Sequence, residues 1–109
     1  MIDWQRVNDL RDEVGEEDFP EIVTVFLEEV DEVFTRLGAP GALPPTPGDM
    51  HFLKGSATTL GFSETAALCK RREAVLKERP TEVTTISPVI DAFRIERSEL
   101  LSETDVRLS

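Results

Sequence analysis

The longest amphipathic segment of the chain occupies residues 19–37 and reads FPEIVTVFLEEVDEVFTRL. Its apolar residues recur at steps of three and four, and its charged residues fall mostly between them, which is the pattern of a helix with one buried face. Pro20 fits only near the start of such a helix, where its missing N–H is not needed, and the acidic run at residues 16–18 suits the positive end of the helix dipole. We therefore predict a long helix over about residues 16–38.

The rest of the chain adds three further main helices and a short one. Residues 38–48 contain four prolines and no charged side chain, and they are predicted to form a loop. The same spacing of apolar residues predicts helices over about residues 3–14, 47–60, 63–79 and 85–103. No window alternates with a period of two, so we predict an all-α fold. The economical architecture is an antiparallel up-down four-helix bundle with a short N-terminal lead-in helix, forming one domain over residues 1–109.

Capping residues support these boundaries. Thr46 is predicted to cap the second main helix, with Pro47 in its first turn and Asp49 three residues after the cap, as in a capping box. Gly61 is predicted to end that helix, and Ser63 to cap the next one. The apolar positions of that third main helix are predicted to be Ala66, Ala67, Leu68, Ala74, Val75 and Leu76. The second and third main helices should therefore form a short antiparallel hairpin.

Composition excludes several classes of protein. The chain has 109 residues with 22 acidic and 12 basic side chains, a formal net charge of -10, and this balance repels a nucleic-acid backbone. We therefore do not expect nucleic-acid binding. We do not expect membrane binding either, because no apolar run of about 20 residues occurs. No secretory leader is recognised, and a cytoplasmic protein is expected. The single cysteine, Cys69, cannot close an internal disulfide and is expected to be a small buried residue.

The charge is unevenly distributed along the chain. Residues 1–38 carry twelve acidic and three basic side chains, a net charge of -9, whereas residues 49–79 carry four acidic and six basic ones, a net charge of +2. The acidity therefore belongs to the first helices, and the central hairpin is locally basic.

The only histidine, His51, lies in the predicted helix over residues 47–60. At about 100° per residue, His51 falls opposite the apolar positions Leu53, Ala57 and Leu60, so its side chain is expected to point away from the core. A lone surface histidine often has no function. Its neighbours on the helix argue for one here.

Four residues accompany His51 on or beside the exposed face. Gly55 costs about 1 kcal/mol relative to alanine inside a helix, so it suggests that another molecule must approach closely there. Lys54 places an ammonium beside the imidazole, where it would favour the neutral, nucleophilic ring and later meet the charge of a phosphoryl group. Thr58 could supply a hydroxyl, although a helical threonine usually bonds to its own backbone. Phe52 is an aromatic side chain that could dock a partner.

The run His51-x-Leu53-Lys54-Gly55-Ser56-Ala57-x-x-Leu60-Gly61 resembles the phosphoacceptor motif of histidine-containing phosphotransfer (HPt) domains. The resemblance extends over roughly residues 4–103, since the segment 19–37 looks like the acidic first long helix of that family. The run Ala67-Leu68-Cys69 looks like the helix that pairs with the phosphoacceptor helix. Met50, where the family often has alanine, and Arg72-Glu73, where Leu-Glu often follows the Cys helix turn, depart from the family pattern.

The resemblance implies a phosphorelay intermediate and not an enzyme. His51 would accept a phosphoryl group from the aspartate of a response-regulator receiver domain, or from a hybrid histidine kinase relay, and pass it to another receiver. Lys54 would be the charge partner, and Gly55, Phe52 and Thr58 would lie on the receiver-docking face. No cofactor or metal is implied for this chain, because magnesium would belong to the receiver. A monomer is expected, since the histidine face must be free for two successive partners.

Two other classes of function remain open at this point. The bundle could be a non-catalytic helical interaction module in which His51 is incidental. It could also be a hydrolase or a metal protein, although His51, Cys69 and the scattered carboxylates have no zinc-ligand spacing.

Overall fold

In the computed structural model, residues 1–80, 85–104 and 106 are described, and within these ranges the secondary structure is helical apart from one isolated bridge between Ile2 and Phe62. The helices are α1 (Trp4–Val14), α2 (Phe19–Gly38), α3 (Pro47–Leu60), α4 (Ser63–Glu78) and α5 (Ser87–Glu103). The predicted all-α bundle with a lead-in helix is confirmed. The predicted domain end at residue 109 lies outside the described residues. None of the helices described here has the length and apolar character needed to cross a membrane.

Two helices begin later than the sequence predicts. Helix α2 begins at Phe19 and not near residue 16, because Gly15 has a φ of +88° and residues 16–18 form a turn. Helix α5 begins at Ser87 and not at residue 85, which places Pro88 in its first turn, where no backbone N–H is required. In both α2 and α5, the proline thus lies in the first turn of the helix.

The N-terminus of α3 is held by the predicted capping box. The Thr46 hydroxyl accepts the Asp49 N–H at 3.1 Å, and the Asp49 carboxylate accepts the Thr46 N–H at 3.0 Å. Arg36 at the end of α2 also donates to Asp49 at 2.6 Å. Burial opposes ionisation of Asp49, but the bonds from Arg36 and Thr46 outweigh it and lower the pKa of this carboxyl below its ordinary value. The start of the histidine-bearing helix is therefore tied to the end of α2.

The cap predicted for α4 is wrong. Ser63 is the first helical residue, and its hydroxyl donates to the Met1 carbonyl instead of capping the helix. The free N–H groups of this helix end are satisfied by Glu96 on α5, which is 1% exposed and accepts the backbone N–H of Glu64 at 3.2 Å and of Thr65 at 2.9 Å. A carboxylate from a neighbouring helix thus replaces the local cap.

The core lies between the helices and includes most of the large apolar side chains. The most extensive contact between helices is that of α3 with α4, and the second most extensive is that of α4 with α5. The fully buried large apolar side chains are Phe19, Val23, Leu27, Val30, Met50, Leu53, Leu60, Phe62, Leu76, Phe93 and Leu100. Cys69 is buried and free, as predicted. This packing leaves one face of α3 uncovered.

Candidate functional site

The uncovered face of α3 carries the only histidine. Met50, Leu53 and Ala57 of α3 are buried, whereas the side chain of His51 is 71% exposed. The predicted orientation of the ring is thus observed. An imidazole held on a rigid helix and open to solvent is accessible to another protein.

A buried carboxylate on α4 contacts the imidazole ring of His51. Glu73 is 6% exposed, and its Oε2 lies 3.2 Å from Nδ1 of His51. The ammonium of Lys54 donates to Oε1 at 2.7 Å, and that of Lys77 lies 3.4 Å from Oε2. The Lys54 hydrogen bond, with a smaller contribution from Lys77, overcomes desolvation and lowers the pKa of Glu73 to about 2. Glu73 is therefore a carboxylate at neutral pH.

This contact determines which ring nitrogen is available. An ionised carboxylate can only accept a hydrogen bond, so in the neutral ring the proton belongs on Nδ1, directed at Glu73. Nε2 then keeps its lone pair and is the ring nitrogen that does not contact Glu73. The arrangement presents one nucleophilic nitrogen to solvent and keeps the other occupied.

Sequence reasoning did not assign Glu73 to the site. The buried positions of α4 are Thr65, Cys69, Glu73 and Leu76. Cys69 and Leu76 are buried as predicted, but the other predicted apolar positions are half-buried or exposed, because the buried stripe also includes Thr65 and Glu73. A charged residue in step with Cys69 and Leu76 at intervals of four and three was the available signal. Its meaning depended on knowing that this stripe faces His51.

The other predicted site residues lie on the same exposed face of α3 or at its edge. Gly55 is exposed, and a Cβ added there would meet nothing within 4 Å. Phe52 is 40% exposed. The Thr58 hydroxyl donates to the Lys54 carbonyl at 2.8 Å, so its proton is directed to the helix backbone. The ammonium of Lys54 acts on the ring through Glu73, which lies in contact with both.

The model of the Hpt domain family matches residues 21–103, which include the His51 face and its Glu73 partner. The chain belongs to the Hpt domain family. This family carries out histidine phosphotransfer in the phosphorelays of two-component signalling, and its members interact with receiver domains. No curated protein and no solved structure matches the chain significantly.

Helix α1 lies outside the part of this Hpt domain that the family model matches. It packs on α3 and α2, and Arg6 donates to the Thr58 carbonyl at 3.4 Å near the end of α3. The lead-in helix is therefore an addition to the matched region that supports the far end of α3.

Within residues 1–80, 85–104 and 106, Cys69 and the acidic side chains form no second candidate centre. Burial, followed by repulsion from Glu73, raises the pKa of Cys69 to about 12, so this thiol remains protonated. Among the described residues, no group of three or more His, Cys, Asp or Glu side chains is arranged to hold a metal ion.

Proposed function

We propose that this Hpt domain is a phosphorelay intermediate that accepts a phosphoryl group on Nε2 of His51 from the aspartyl phosphate of a receiver domain and passes it to another receiver. The donor receiver could belong to a hybrid histidine kinase. The observation that carries this proposal is the exposed ring whose Nδ1 is held by the buried Glu73 carboxylate. The proposal does not include a kinase activity of this chain.

The chemistry needs no proton movement within the ring. The Nε2 lone pair attacks phosphorus, the bond between phosphorus and the receiver's carboxylate oxygen breaks, and its electron pair returns to that oxygen. The ring becomes a cation whose Nδ1–H remains bonded to Glu73. Transfer to the next receiver reverses these steps and restores the neutral ring. Lys54 is the charge partner of Glu73, and magnesium would come from the receiver.

The surroundings of His51 suit a receiver as partner. The segment 49–79 has a net charge of +2, which complements the carboxylates of a receiver's acidic pocket. The open space over Gly55 provides room for the partner's backbone, and the exposed part of Phe52 provides apolar contact area. Thr58 lies two turns from His51 at the edge of this proposed docking face.

The proposal is tested by incubating the protein with receiver domains whose aspartates have been phosphorylated. We expect label that is labile in acid and stable in base, as a phosphoramidate is. A panel of all receivers from the source genome should identify the donor and the acceptor. Failure of every receiver in the panel to label the chain contradicts the proposal.

Replacing Gly55 by glutamine is expected to separate helix stability from transfer. The helix should gain about 0.5–1 kcal/mol, because glycine is unfavourable in a helix interior and the space is open. Transfer should slow by about tenfold or more, because the longer side chain occupies the partner's position. Gly55→Ala is the matched control, with the same gain in stability and a much smaller loss of rate. Wild-type transfer rates in Gly55→Gln would remove this explanation of the glycine.

Replacing Glu73 by alanine is expected to slow labelling of His51 by about ten- to hundredfold, the range typical of carboxylates that orient a metal-binding imidazole. The ring then loses the acceptor that keeps its proton on Nδ1. Glu73→Gln is the matched control, because the amide oxygen can still accept from Nδ1–H. Labelling rates measured with one receiver, alongside thermal unfolding of each variant, make the comparison. Equal rates in Glu73→Ala and wild type would show that the carboxylate does not position the ring.

A further inference from the structure

Two lysines bind Glu73, and they bind it differently. We propose that Lys77, and not the motif lysine Lys54, is the cation that moves onto the phosphoryl group when His51 is phosphorylated. This inference rests on the proposed function and names a residue that the motif does not contain.

The contacts of the two ammonium groups differ in length and exposure. Lys54 bonds Oε1 of Glu73 at 2.7 Å, and its side chain is 30% exposed. Lys77 lies 3.4 Å from Oε2, and its side chain is 65% exposed. Oε2 is also the oxygen that contacts Nδ1 of His51. Lys77 therefore shares its acceptor with the ring, while Lys54 has an oxygen to itself.

Phosphorylation changes the competition at Oε2. Once Nε2 carries the phosphoryl group, the ring is a cation, and its Nδ1–H becomes a charge-assisted donor to Glu73. The ring then binds Oε2 more strongly, and the longer contact of Lys77 is the weaker of the two. At the same moment a group with negatively charged oxygens appears on the other side of the same ring. Lys77 thus loses its acceptor as a more highly charged one forms on the ring that shares Oε2 with it.

The movement costs little for Lys77 and more for Lys54. An exposed lysine has a flexible stem and a solvated ammonium, so exchanging one anionic oxygen for another requires little ordering or desolvation. Lys54 would have to break a short bond to a buried carboxylate, which would leave Oε1 of Glu73 without its ammonium partner. Lys54 thus keeps Glu73 in place, and Lys77 stabilises the phosphorylated state.

The test measures the equilibrium distribution of phosphoryl groups between His51 and a receiver that labels the wild-type chain. This distribution depends on the stability of the phosphorylated species and not on how fast the proteins dock. We expect Lys77→Ala to shift it about three- to fivefold toward the receiver at low salt, with the shift shrinking at high salt because an exposed charge pair is screened. Lys77→Arg should restore the wild-type distribution.

Lys70→Ala is the matched control, because Lys70 is exposed on the same side of α4, about 10 Å from Lys77 along the helix. It should leave the distribution unchanged. A wild-type distribution in Lys77→Ala, a salt-independent shift, or a larger shift in Lys54→Ala than in Lys77→Ala would overturn the inference. Absence of label in the wild-type chain would instead overturn the proposed function on which it rests.

Discussion

A His51→Gln variant is expected to accept no phosphoryl group from any receiver, a loss of about 1000-fold or more in labelling rate. An amide nitrogen has no available lone pair for attack on phosphorus. The chain has one histidine, so no second imidazole can substitute. Glutamine is of similar length and its amide N–H can still donate to Glu73. The side chain of His51 is mostly exposed, so stability should change by no more than about 0.5 kcal/mol.

The measurement combines labelling with a check on folding. Wild type and His51→Gln are incubated with the same phosphorylated receiver, and the acid-labile label on each is followed with time. Far-ultraviolet circular dichroism and urea unfolding should be the same for both proteins. Label that persists in His51→Gln would place the acceptor elsewhere and contradict the proposed function.

A Gly61→Ala variant is expected to lose about 3 kcal/mol or more of its free energy of unfolding. Gly61 ends α3 with a φ of +78°, where an L side chain costs about 1–2 kcal/mol. An added Cβ would also lie 2.5 Å from the carbonyl oxygen of Asp3 and 3.0 Å from a methyl group of Val7. The Asp3 backbone cannot move away cheaply, because its N–H donates to the Gly61 carbonyl at 2.7 Å. Strain and collision therefore add.

Gly38→Ala is the matched control for that variant. Gly38 is the last residue of α2, its φ is not positive, and a Cβ there meets nothing within 4 Å. Urea unfolding should show a large drop in midpoint for Gly61→Ala and little change for Gly38→Ala. Equal midpoints in the two variants would mean that the N-terminal segment does not pack against the α3–α4 turn as described.

The local features of α3, the helix that carries His51, could be predicted from the sequence. The capping box at Thr46 and Asp49, the stop at Gly61 and the outward direction of His51 depend on residues within one or two helical turns of each other. Helical geometry relates such residues directly, so their spacing along the chain is sufficient. The buried state of Cys69 followed from its residue type in the same way.

Features that depend on the approach of one helix to another were not predictable in this way. The sequence predicted Ser63 as a cap, but the structure assigns that task to the buried Glu96 of another helix. Similarly, the sequence predicted Cys69 and Leu76 as buried positions of α4 but not Glu73, which lies on the same stripe. Periodicity identifies an apolar stripe, but a helix with many small and charged residues, such as α4, has more than one candidate stripe.

The sequence by itself determined that this chain is helical, that its histidine lies on an exposed helix face, and that its motif resembles that of phosphotransfer domains. Only the tertiary structure decided what holds that histidine. Glu73 and Lys77 lie 22 and 26 residues from His51 on a separate helix. Glu73 contacts the ring and Lys77 contacts Glu73, and this arrangement arises from the rotation and register with which α3 and α4 pack. Core packing sets that rotation, because burying Leu53, Cys69 and Leu76 between the helices leaves the carboxylate of Glu73 beneath the imidazole.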